Sequence, residues 1–136
     1  MIAEALLWSI PVGIIHFAVM GALYGNPFVD KIYMAAQQNG TGVRRWPSKP
    51  RYLITQFFGT QVEVIILVAA YLWLRPDTSG MTAALGLGLV FTAIRVYPRF
   101  WNMWIQTDYP RNMLAIEAVN GTIGTFLIVV CTELFC

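Results

Sequence analysis

Four ionisable side chains, His16, Glu63, Arg95 and Glu117, fall inside long apolar runs of this sequence. Such groups are expensive in hydrocarbon, so they face a bundle interior, pair with one another, or mark a site. Two carboxylates against one arginine make an unequal set. Arg95 neutralises only one of Glu63 and Glu117, which leaves the other protonated or exposed to a water-filled cavity. A carboxylic acid held neutral near His16 is the minimum equipment for acid/base chemistry on an apolar substrate, or for a proton path. On this reading Glu63, Glu117 and His16 are the catalytic groups, while Arg95, Asn102, Asn120 and Gln56 bind and orient the substrate. The reaction would be an isomerisation, cyclisation or hydration, the work of a membrane-embedded isomerase, cyclase or hydrolase. The opposing reading makes Arg95 and its carboxylate structural glue, with His16 and Asn120 bonded to backbone or to each other.

These residues recur at helical spacing. Ser9, Gly13 and His16 form one stripe, and Tyr52, Gln56, Gly59, Thr60 and Glu63 a second. Arg95, Pro98, Arg99 and Asn102 form a third, and Glu117, Asn120, Gly121 and Gly124 a fourth. Each apolar run thus has one polar or small-residue face, the pattern expected when four such faces meet on a common axis. At about 1.5 Å per residue from the basic end of each run, His16 and Arg95 lie roughly 13 Å deep, Glu63 roughly 17 and Glu117 roughly 6 to 9. The four groups are therefore expected to share one layer. Glu4 and Glu133 fall at the opposite end, near water, and are left out of the site.

The elements follow from composition. Of 136 residues, 57% are hydrophobic and 12% charged, whereas soluble domains carry roughly 25% charged residues. A membrane crossing takes about 20 apolar residues, so spans at about 2–24, 52–74, 81–104 and 113–135 nearly exhaust the chain. The expected fold is all-α, a single membrane domain built as a four-transmembrane-helix bundle. Gly25-Asn26-Pro27 stops the first span, Phe28 to Gln38 reads as a short interfacial helix, and the basic, Gly- and Pro-rich remainder of the 25–51 loop follows. Arg75 to Gly80 reads as a compact turn that makes the second and third spans antiparallel neighbours. Pro11 and Pro98 are expected to kink their helices. The first apolar run lacks a basic leader and a small-residue cleavage site, and reads as a retained span.

Lys31, Arg44, Arg45, Lys49, Arg51, Arg99 and Arg111 lie on the side of the first and third loops, against Arg75 on the side of the termini. Cytoplasmic loops carry the basic excess, so both termini are expected on the non-cytoplasmic side of a multi-pass plasma (inner) membrane protein. Trp46, Tyr52, Tyr97, Trp101, Trp104 and Tyr109 gather at the same basic end as an aromatic belt.

Two stretches carry a resemblance to a known family: Gly21-Ala-Leu-Tyr-Gly-Asn-Pro-Phe28 with Lys31 and Tyr33, and Trp101-Asn102-Met-Trp-Ile-Gln106 followed by Pro110-Arg-Asn-Met-Leu-Ala-Ile-Glu117. They resemble the four-span integral membrane family known as domain of unknown function 1761, across almost the whole chain. The chain departs from that family's pattern at Glu117, where asparagine is frequent, and by one extra loop residue. The resemblance implies four spans and no particular activity.

Other classes are disfavoured. The net charge of +2 is small and the bases lie in loops, against nucleic-acid binding. Cys131 and Cys136 have no metal-site or disulfide spacing, and no nucleotide, metal, nucleophile-elbow or haem motif occurs, so no cofactor is expected. The partners expected are the lipid bilayer and an apolar, lipid-like small molecule. The alternatives are a non-enzymatic accessory subunit of a larger membrane complex, in which the polar stripes serve packing, and a small transporter that needs a homo-oligomer to enclose a path.

Overall fold

The computed structural model describes residues 1–40, 42–75 and 80–136. The described residues form five helices and no strand: α1 (Ile2–Tyr24), α2 (Pro27–Gln38), α3 (Lys49–Leu74), α4 (Met81–Gln106) and α5 (Arg111–Phe135). Four of them, α1, α3, α4 and α5, are long and apolar enough to cross a membrane, with mean hydropathy of 1.4 to 1.9 over their most apolar windows. The expected all-α, four-span architecture is thus the observed one. The expected turn at Arg75–Gly80 falls largely on 76–79, which lie outside the described residues.

Local chemistry sets the helix ends. The Asn26 side chain accepts a hydrogen bond from the Val29 N–H at 3.0 Å, and Pro27 occupies the first turn of α2. One Asn-Pro pair therefore closes α1 and caps α2, because a first-turn proline has no N–H to leave unsatisfied. The same logic moves the start of α3 back from the expected Tyr52 to Lys49. Ser48 accepts from the Arg51 N–H at 3.3 Å, and Pro50 sits in the first turn rather than in the loop. Pro11 and Pro98 lie inside helices that remain continuous.

The bundle is organised on α5, which packs against α4, α1 and α3, while α1 also packs on α3. Small residues permit these approaches. A side chain at Gly88 of α4 would meet the Phe126 ring at 2.9 Å, and one at Gly121 of α5 would meet Val96 at 3.2 Å. Most of the apolar core (Ala5, Val12, Val64, Val68, Tyr71, Ala84, Phe91, Ile128 and Val129) lies in the half of the bundle that holds the chain termini. There Trp8 stacks with Phe135 at 6.1 Å, and the buried Tyr71 hydroxyl donates to Glu133 at 2.6 Å. Of the ion pairs between helices, Glu63–Arg95 lies near mid-bundle and Glu117–Arg99 in the other half.

One expected neighbour pair is only loosely apposed. Among the described residues α3 and α4 do not share a close-packed face, although they are consecutive in the chain. Both lean on other helices, and an open groove runs between them.

Candidate functional site

The four groups expected in one layer divide into two centres. The deeper centre joins Glu63 of α3 to Arg95 of α4 by an ion pair. Arg95 also donates to the Thr125 hydroxyl at 2.5 Å and to the Gly121 carbonyl at 3.4 Å. Gly121 and Thr125 are one turn apart on α5, so the guanidinium is held by α5 on one side and by Glu63 on the other. The pair is not sealed: Glu63 is 36% and Arg95 28% exposed. Both line the α3/α4 groove, about 480 Å³, together with Gln56, Thr60, Val62 and Ile66. Gln56 donates to the Thr60 hydroxyl at 3.3 Å on the groove wall.

The second centre lies toward the loop end and is built on Glu117. One of its oxygens accepts from the Tyr33 hydroxyl of α2 at 3.2 Å and from the Tyr109 hydroxyl at 2.5 Å. The other is paired with Arg99 of α4 at 3.0 Å. Glu117 is 17% and Arg99 62% exposed, so the carboxylate sits inside a polar cap whose cation faces outward. Burial first, and the Glu117 charge beside them, push the Tyr33 and Tyr109 hydroxyls well above the ordinary tyrosine value, so both remain donors. Tyr24 packs edge-on against Tyr33 at 6.1 Å.

The premise of one arginine for two carboxylates is corrected by this geometry, because each carboxylate has its own: Arg95 for Glu63 and Arg99 for Glu117. Arg99 stands on the same stripe as Arg95, one turn further on. The sequence reading counted Arg99 among the bases of the loop side and did not pair it, whereas it stands level with Glu117 across the α4/α5 contact.

His16 belongs to neither pair. It is 3% exposed, and neither ring nitrogen has a hydrogen-bond partner among the described residues. Its ring lies over Gly124, where an added Cβ would stand 2.8 Å from Nε2. It therefore approaches the small-residue patch of α5 that Arg95 approaches from the α4 side. Asn120 is buried one turn before Gly124, whereas Asn102 is exposed. Gln61 and Thr92 add a buried amide nitrogen and a buried hydroxyl without partners among the described residues, and the Gln61 amide lies against Gly13. Tyr33 and Tyr109 were absent from the sequence-derived site, since nothing in their spacing ties a loop and an interfacial helix to Glu117.

Among the described residues no group of three or more His, Cys, Asp or Glu side chains is placed to hold a metal, and Cys131 and Cys136 are both free thiols. Fold and centres together define a multi-pass helical membrane protein with an ion pair bordering an open groove. No family model matches the sequence, and no curated protein or solved structure matches it either.

Proposed function

We propose that this chain binds a lipid-like or other apolar small molecule in the α3/α4 groove, with Glu63 as the group that exchanges a proton with it. The exposure of the Glu63–Arg95 pair to that groove carries the reading. Gln56 and Thr60 are bonded to each other and Glu63 to Arg95, so each keeps hydrogen-bonding capacity that acyl chains cannot meet, and polar capacity left unmet is costly in an apolar surround. An amphiphile with one hydroxyl or carbonyl group satisfies them while its apolar body lies along Val62 and Ile66. A few polar groups at fixed positions on an apolar wall are the usual composition of a small-molecule site.

Within this reading Arg95 holds and orients the Glu63 carboxylate, Gln56 and Thr60 fix the ligand's polar group, and Glu63 gives and takes the proton of an isomerisation, cyclisation or hydration. Glu117 then acts as a clamp for α2 and the 107–110 loop, and His16 lies behind the Arg95 contact on α5. The chain is read as a divergent member of the four-span family it resembles, with its basic end cytoplasmic.

The test uses Gly59, which faces the groove with no atom within 4 Å of an added Cβ. Gly59→Leu brings a branched side chain to the groove wall at a position where its Cβ meets no neighbour. Lipophilic molecules extracted with the purified wild-type protein should include a species missing from Gly59→Leu and retained by Glu63→Gln. Identical extracts from all three would transfer support to the second reading, an accessory subunit or homo-oligomer. That reading draws on α4, which leaves Leu85, Leu89, Ile94 and Tyr97 exposed beside Gly86, itself open to a close neighbour.

A further inference from the structure

A separate cleft lies between α2 and the start of α5, about 470 Å³ in volume, with Lys31, Ile32, Ala35, Asn39, Asp108 and Asn112 on its walls. Lys31 and Asp108 face this one cleft with opposite charges, yet form no ion pair with each other or with any other described residue. The neighbouring cation, Arg111, is directed elsewhere, stacked over the Trp104 ring at 4.2 Å. Asn112 accepts from the Met113 N–H at 2.9 Å, which leaves its amide N–H groups as donors.

We propose that this cleft is a headgroup site for a phospholipid that carries a primary ammonium, with the phosphate toward Lys31 and Asn112 and the ammonium toward Asp108. Three features select that ligand. The cleft is formed where α1 ends and α5 begins, so it lies at headgroup depth, and Ile32 and Ala35 give the glycerol and first methylenes an apolar wall. The separated charges match a zwitterion, whereas a purely anionic headgroup leaves Asp108 unanswered. Asp108 accepts hydrogen bonds, which an ammonium N–H supplies and a choline cannot, and among the described residues no aromatic ring lines the cleft to cage a quaternary ammonium. The residues involved are distinct from those of the α3/α4 groove, so the two proposals stand or fall separately.

The experiment presents the full-length protein, in nanodiscs of equimolar phosphatidylethanolamine, phosphatidylcholine and phosphatidylglycerol with matched acyl chains, to native mass spectrometry. The retained phosphatidylethanolamine should exceed each of the others by about three- to tenfold, the preference that roughly one charge-assisted hydrogen bond supports. Asp108→Asn should bring phosphatidylethanolamine and phosphatidylcholine to equal retention, and Lys31→Gln should lower both. Both substitutions are at exposed positions, and circular dichroism verifies that helix content is unchanged. Equal retention of the two zwitterions by the wild type, a preference for phosphatidylglycerol, or a preference that survives Asp108→Asn would overturn the assignment. Displacement of the bound lipid by water-soluble phosphoethanolamine would also overturn it, in favour of a soluble ligand.

Discussion

At the level of single residues, the polar side chains differ less in type than in what surrounds them. Gly124 and Gly86 make the contrast measurable. A Cβ at Gly124 meets His16 Nε2 at 2.8 Å and Met20 Sδ at 3.1 Å, while one at Gly86 meets nothing within 4 Å. Gly124→Ala should therefore destabilise the bundle by about 1–3 kcal/mol through overpacking. Gly86→Ala should be neutral or stabilising by up to about 1 kcal/mol, from helix propensity alone. Unfolding of the two variants in mixed detergent decides between them, and equal effects would contradict the packing described for His16. The Glu117 clamp has a pH signature. Tyr33 and Tyr109 titrate above the ordinary tyrosine value of 10.0 because their protonated forms are held in the folded state. Their contribution is complete below pH 10.0 and is lost as pH rises beyond it toward the raised folded-state values. Stability should therefore decline above that pH, less steeply in the Tyr33→Phe, Tyr109→Phe double variant. At lower pH that double variant should lose about 1 kcal/mol per hydrogen bond. The sequence revealed His16, Glu63, Arg95 and Glu117 as intramembrane polar groups, since an ionisable residue in an apolar run is visible without coordinates. Which arginine answers which carboxylate was not visible, because it depends on the lateral order of the helices.

At the level of helices, hydropathy and punctuation placed all four spans and the short α2, with no boundary shifted by more than three residues. The two shifted starts share a cause, that prolines read as loop residues sit at the helix starts, Pro50 in the first turn of α3 and Pro110 at the N-cap of α5. The lateral arrangement was less legible. A short connection makes α3 and α4 neighbours in sequence, but each packs elsewhere, α3 on α1 and α5, and α4 on α5. Helices in lipid associate through small residues and polar contacts rather than through connectivity, and the Gly121, Gly124 and Thr125 patch draws α1 and α4 to α5. The ion pair across the groove should then be coupled to α5. Thr125→Val, which deletes the acceptor of the 2.5 Å Arg95 bond, should cost about 1–3 kcal/mol as the guanidinium loses a buried partner. Glu63→Gln combined with Thr125→Val should be non-additive. The direction of the helices across the bilayer is tested separately with introduced thiols: a reagent confined to the cytoplasm should modify Gly42→Cys and leave a cysteine placed after Phe135 unmodified in a Cys131→Ser, Cys136→Ser background.

On the scale of the whole molecule, the bundle is divided along its length. The half with the termini is closed by apolar packing around Tyr71, Val68 and Ile128, the Glu117 centre lies toward the basic loops, and the Glu63–Arg95 pair lies near the middle. An apolar end and a mid-bundle ion pair bordering a lateral groove fit the proposed entry of a ligand from within the bilayer rather than from water. The most direct measurement is photocrosslinking of the reconstituted protein with a diazirine-bearing long-chain alcohol, followed by peptide mapping. Labelling concentrated on α3 between residues 56 and 67 and on α4 around Arg95, and abolished by Gly59→Leu, is the expected result. Even labelling of every lipid-facing helix surface, unchanged by Gly59→Leu, would contradict a binding groove and leave the Glu63–Arg95 pair a structural contact.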